Sequence, residues 1–300
     1  MNESRQLNPF FEPISRALSD AWLQIRAKPT VFLFAWLLLS LLPQIVLGFV
    51  FRKPIQAVIL ETQVIMAGGG NVANLSDASL GIFIAGLQAM VLSLVITAFF
   101  TIYLRAVMGD AVIAFRRRQL PDFFAVLRGG AQRLWALIRV ALALLLRLIL
   151  FVVPAYYLGM ILGLVLGDPI GVSIALGGLA LVIAFLHYGL APFIHLSLGA
   201  TSKEAILISR GYFRKNRQLV VSLFFSLFLA PSVIIGFLSR LTLMVPGTIG
   251  VVLSTGTTLI QSLALFGAAI AYVNFAMNAF IPPTPPLNPL AEGELDNPGS

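Results

Sequence analysis

KEAILISRGYFRKNRQLVVSLFFSLFLAPSVIIG, residues 203–236, joins a basic, amphipathic segment directly to an apolar span that holds Pro231. The pattern returns twice upstream. Pro43-Gln-Ile-Val-Leu-Gly48, Pro154-Ala-Tyr-Tyr-Leu-Gly159 and Pro231-Ser-Val-Ile-Ile-Gly236 share the spacing P-x-x-x-[LI]-G. An apolar run precedes each proline, and a Lys/Arg-bearing segment precedes each run: Arg16, Arg26 and Lys28; Arg128, Arg133 and Arg139; Lys203, Arg210, Arg214, Lys215 and Arg217. The repeated unit reads as a helix lying on a membrane surface followed by a helix entering the membrane. Pro43, Gly48, Pro154, Gly159, Pro231 and Gly236 are then expected to break the spans at matching points.

Composition sets the class. Of 300 residues, 59% are hydrophobic and 11% charged, whereas soluble domains carry about 25% charged residues. The chain is expected to be an all-α, multi-pass membrane protein. It has no cysteine, which excludes disulfides and thiolate metal sites. The net charge of +8 is carried by residues flanking apolar spans, so membrane orientation explains it better than nucleic-acid binding.

Residues 1–29 are expected to form a cytoplasmic segment with an amphipathic helix and no cleavable signal. Ile14, Leu18, Trp22 and Ile25 recur there at helical spacing. Residues 30–280 hold six spans, at about 30–50, 80–104, a third containing Arg147 and Pro154, 170–198, 219–238 and 248–280. Arg52 to Ser79 is polar enough to leave the membrane, with Gly68-Gly69-Gly70-Asn71 as a loop. Pro121 restarts the chain as a second surface helix, with Phe124, Leu127, Ala131, Leu134 and Ile138 on one face. Residues 281–300, rich in proline and ending in acids, read as a disordered cytoplasmic tail.

Lys and Arg number 4 in residues 1–29, 8 in 105–147 and 5 in 199–218, but 2 in 51–79, none in 167–169 and 1 in 239–247. The positive-inside rule therefore places both termini in the cytoplasm.

Few residues carry chemistry. Arg147 lies inside an apolar run, which admits two readings: a side chain snorkelling to the headgroups, or a pathway or lipid-phosphate contact. His187 and His195 are eight residues apart, too far along a helix axis to chelate one ion together, so satisfied polar residues are favoured over a metal site. The acids sit outside the spans, and no Ser/His/Asp signature is present. The expectation is a protein that is not an enzyme and has no cofactor.

Leu190-Ala-Pro192, Ala205, Ser209 and Arg214-Lys-Asn216, with the apolar span that follows, resemble the YciC-type bacterial inner membrane proteins and the membrane domain preceding some glycerophosphodiester phosphodiesterases. The resemblance implies an integral inner-membrane protein of the bacterial envelope. Two roles follow. One is a non-catalytic scaffold or accessory component, its basic segments holding anionic lipid and a membrane-protein partner, with Arg210, Arg214, Lys215 and Arg217 in contact. The other is a transporter or lipid-handling protein that uses the proline-broken spans and Arg147.

Overall fold

The computed structural model describes residues 11–67, 77–117, 119–244 and 247–281. All regular structure among them is helical: α1 (Glu12–Ala27), α2 (Pro29–Trp36), α3 (Leu42–Ala67), α4 (Asp77–Arg116), α5 (Phe123–Leu166), α6 (Pro169–Tyr188), α7 (Ala191–Leu198), α8 (Ser202–Lys215), α9 (Arg217–Phe224), α10 (Ala230–Met244) and α11 (Gly247–Phe280). Six helices or helix pairs are long and apolar enough to cross a membrane: Pro29–Phe51, Ser79–Arg116, Phe123–Leu166, Pro169–Leu198, Arg217–Ser239 and Thr255–Phe280. This is the expected six-helix membrane class.

The first and third units repeat closely. Lys28 ends α1 at φ −143°, and Asn216 ends α8 at φ −126°, both outside the helical region. Lys28 is pushed there because it precedes Pro29. Each break is followed by an eight-residue α-helix and then by five residues of π-helix, Leu37–Leu41 and Phe225–Leu229. Pro43 and Pro231 come just beyond. Neither has an N–H to give, and each ring crowds the carbonyl four residues back, so the widened π-helical turn makes room for the proline. Corresponding positions lie 188 residues apart throughout.

The second unit departs from this expectation. α5 runs unbroken for 44 residues, so the basic segment after Pro121 is not a helix separate from the third span. Nothing between Arg133 and Leu146 is a glycine, a proline or an asparagine that would end a helix. Asp122 starts α5, its carboxylate accepting the N–H groups of Phe124 and Ala125 at 3.2 and 3.3 Å. Pro154 sits inside regular α-helix and breaks nothing. Gly159 has a packing role instead: a Cβ there would lie 2.6 Å from Ser173 Cα, so the glycine lets α5 and α6 meet backbone to backbone. No such approach exists at Gly48 or Gly236, where a Cβ would meet nothing within 4 Å.

The first span also differs at its far end. The helix passes Arg52 and continues to Ala67 with Pro54 inside it, whereas the sequence reading ended it near Val50. The loop expected at Gly68–Asn71 and the tail expected at 282–300 lie outside the described residues.

All three basic segments nevertheless share one packing rule: each covers the end of an even-numbered span. α1 lies on α11, with Gln24 bonded to Asn274 and Asn278 Nδ2 donating to Asp20 at 3.0 Å. The start of α5 lies on α4, where Tyr103 donates to Leu127 O at 3.1 Å and Arg133 pairs with Asp110 at 3.1 Å. α8 lies on α6 and α7, with Ser209 donating to His187 O at 2.9 Å and Phe213 against the His187 ring. Small residues make these contacts possible: Ala17 and Ala21, Gly130, then Ala205 and Ser209, all buried. The stripes that pack on the protein are thus made chiefly by small residues beside the large apolar ones. In α1, Leu18 and Trp22 are exposed while Ile14, Ala17 and Ala21 face the protein; in α5, Phe124 is exposed while Val126, Gly130 and Leu137 are buried.

The three covered span ends converge. Val107, Met108 and Ala111 of α4, Ala191 and Ile194 of α7, and Ile270, Val273 and Ala276 of α11 form a fully buried core. We call this the basic end of the bundle.

Candidate functional site

Beyond that core the spans separate. A cavity of about 870 Å³ opens between them, lined by all six: Pro43 and Leu47, Thr101 and Arg105, Leu145 and Leu148, Ala184 and Tyr188, Pro231 and Ile235, Gln261 and Leu265. The size falls within the ~300–1,000 Å³ typical of small-molecule sites. Both π-helical turns flank it, and Pro43 and Pro231 stand in its wall.

Arg105 stands at the basic end of this space. Its guanidinium lies 5.5 Å from the centre of the Phe193 ring, and Phe193 stacks on Tyr272 with centroids 4.9 Å apart and planes 13° from parallel. Among the described residues no carboxylate lies within ion-pair distance of Arg105; the ion pair nearby is Arg133 with Asp110. No buried polar side-chain atom among the described residues lacks a partner, and Arg105, which has no hydrogen bond there, opens into the cavity. The remaining polar lining is hydroxyl and amide, and includes Ser40, Thr101, Ser239, Gln44, Gln261 and the phenols of Tyr188 and Tyr272. Ser40 donates to Ser262 O at 3.1 Å, and Thr97 and Thr101 donate to carbonyls of their own helix, so these hydroxyls are engaged by backbone.

The sequence reading missed Arg105 by ending the second span there. α4 continues for eleven further residues, and the apolar run Ala106-Val-Met-Gly, resumed after Asp110 by Ala-Val-Ile-Ala-Phe115, is the signal that the helix went on.

Of the residues expected to contact lipid, Arg147 and Arg210 are brought together. They line one groove of about 250 Å³ with Leu150, Phe151, Tyr188, Ile206 and Leu207. Arg147 lies over the Tyr188 ring at 5.6 Å. Arg214, Lys215 and Arg217 are exposed around the α8–α9 break and line neither space.

The helix that carries Arg210 is well anchored. Thr201 and Glu204 cap it reciprocally, with Thr201 N–H donating to the carboxylate at 2.9 Å and its hydroxyl at 2.8 Å. These bonds hold the Glu204 carboxyl below its ordinary range. At the other end of α8, burial pushes the Tyr212 phenol up. The histidines are engaged by backbone: His187 Nδ1 meets Ile183 O at 2.8 Å and His195 Nδ1 meets Ala200 O at 2.5 Å. Among the described residues no group of three His, Cys, Asp or Glu could hold a metal ion.

The residues that carried the family resemblance have structural places. Gly189 and Leu190 separate α6 from α7, Pro192 lies in the first turn of α7, Ala205 and Ser209 are the small contacts of α8, and Asn216 is its break. Compared with known proteins, the chain matches no family model, no curated protein and no solved structure.

Proposed function

We propose that this is a non-catalytic lipid-handling protein of the bacterial inner membrane, with both termini cytoplasmic, which holds an anionic amphiphile in the six-span cavity. The observation that carries this reading is Arg105. Arg105 lies inside the second membrane-spanning helix with no ion-pair partner among the described residues, and a charge within a span is costly unless a counter-charge meets it. A carboxylate or phosphate against the guanidinium would offset that cost, and the apolar walls would take the tail. Binding is favoured over catalysis because, among the described residues, the lining offers no carboxylate or imidazole to move a proton.

The scaffold reading keeps one supporting feature, the exposed patch Arg214, Lys215 and Arg217. It gives the cavity no role.

Native mass spectrometry of protein released from polymer nanodiscs tests the proposal. Wild type should carry an amphiphile that Arg105→Gln loses. An adduct present equally in both would refute it, and a stoichiometric protein partner in place of the adduct would favour the scaffold.

A further inference from the structure

The groove that holds Arg147 and Arg210 shares a wall with the cavity. Tyr188 lines both, its ring under the Arg147 guanidinium and edge-on to Phe151 at 6.1 Å. The two arginines come from different helices, α5 and α8, and among the described residues no acid lines the groove with them. Two positive side chains lining one groove without an acid give it a positive potential, which favours an anion.

Geometry and surroundings select its class. A planar carboxylate is matched by a single guanidinium fork, whereas a tetrahedral phosphate presents separate oxygens to two forks arriving from different directions. The rim is apolar and faces outward: Leu150 is 64% exposed and Leu207 55% exposed. Arg147 itself lies in a membrane-spanning helix, one residue from Leu146, which is 61% exposed. Leu150 lies in the same span, where an outward apolar side chain is covered by acyl chains rather than by water, and Leu207 faces outward beside it from α8.

We propose that the Arg147–Arg210 groove is a docking site for the phosphate of an anionic phospholipid, its chains lying on Leu150 and Leu207, with Tyr188 dividing the docked lipid from the cavity. This makes the groove a side approach to the cavity and in that respect rests on the cavity reading. The docking site itself does not.

The test uses the full chain in nanodiscs of phosphatidylcholine containing phosphatidylglycerol, with a benzophenone amino acid replacing Leu207 as a photo-crosslinker. Phosphatidylglycerol should be captured in preference to phosphatidylcholine. Arg147→Gln and Arg210→Gln should each lower that capture about fivefold. The double variant Arg147→Lys/Arg210→Lys, which keeps the charge but loses both forks, should capture more than either glutamine variant and less than wild type, and serves as the folding control. Excess inorganic phosphate should not compete. Capture that is unchanged in the glutamine variants, indifferent to headgroup, or abolished by inorganic phosphate would overturn the proposal. Arg105→Gln is the separating control: it should empty the cavity and leave capture at position 207 intact, so failure of the cavity reading and failure of the groove give different results.

Discussion

Gln24 and Asn274, 250 residues apart, exchange a reciprocal pair of side-chain hydrogen bonds: Gln24 Nε2 donates to Asn274 Oδ1 at 2.9 Å and Asn274 Nδ2 donates to Gln24 Oε1 at 3.0 Å. The pair ties α1 to the sixth span and so closes the bundle at its basic end. Asn278, one turn on, extends the link, accepting from Arg116 of α4 while donating to Asp20 of α1.

Asn274→Ala removes both bonds and strands the half-buried amide of Gln24. The expected loss of stability is about 1–3 kcal/mol, read by thermal unfolding in detergent. Gln24→Ala leaves Asn274 Oδ1 without its donor while Nδ2 keeps Ile270 O at 3.2 Å, and the double variant should cost less than the two single losses combined, because the second substitution has no Gln24–Asn274 bond left to break.

The three motif glycines should respond differently to alanine. At Gly159 the added Cβ meets the Ser173 backbone, which has no flexible end to move aside, so Gly159→Ala should destabilise by about 1–3 kcal/mol through overpacking of α5 on α6. At Gly48 and Gly236 the new methyl meets open space, and helix propensity favours alanine by up to about 1 kcal/mol. Unfolding midpoints of the three variants check this ordering, which would fail if Gly236→Ala were as damaging as Gly159→Ala.

The cap of α8 should be acid-sensitive. The Glu204 carboxyl is held below its ordinary value by the Thr201 N–H and hydroxyl, so its contribution is present above the ordinary glutamate range and disappears as pH falls through the lowered value. A carbon-13 titration of the Glu204 carboxyl should show this displaced midpoint, and Thr201→Val should move it up toward that of a free glutamate. A midpoint unaffected by Thr201→Val would show that the hydroxyl contributes nothing.

Much of the fold was legible because lipid enforces a simple rule: about 20 apolar residues make a span. The prolines at 43 and 231 were visible in the spacing, and the structure pairs them, each beyond a helix break at Lys28 or Asn216. Pro154 misled the alignment because a proline motif records a local backbone chemistry that a long helix can absorb. The faces of α1 and α5 were assigned to large apolar residues, as membrane-surface helices would require. Ala17, Ala21 and Gly130 face the protein because close helix approach selects for small side chains, and Leu18, Trp22 and Phe124 stay on the outward side. Arg147 and Arg210 were each readable as lipid contacts, but their shared groove depends on α8 folding back across α5, which no local pattern encodes. Arg105 was hidden by an assumption that a charge ends a span.

The central claim is that the six-span cavity holds an amphiphile through Arg105. The most direct measurement is photo-labelling of nanodisc-embedded protein with a lysophosphatidic acid carrying a diazirine in its tail, followed by peptide mapping. Labels should fall on cavity residues such as Leu145, Leu148 and Leu265, and should vanish from them in Arg105→Gln. Labels confined to outward residues such as Leu94 and Val165, or cavity labels indifferent to Arg105, would contradict the account.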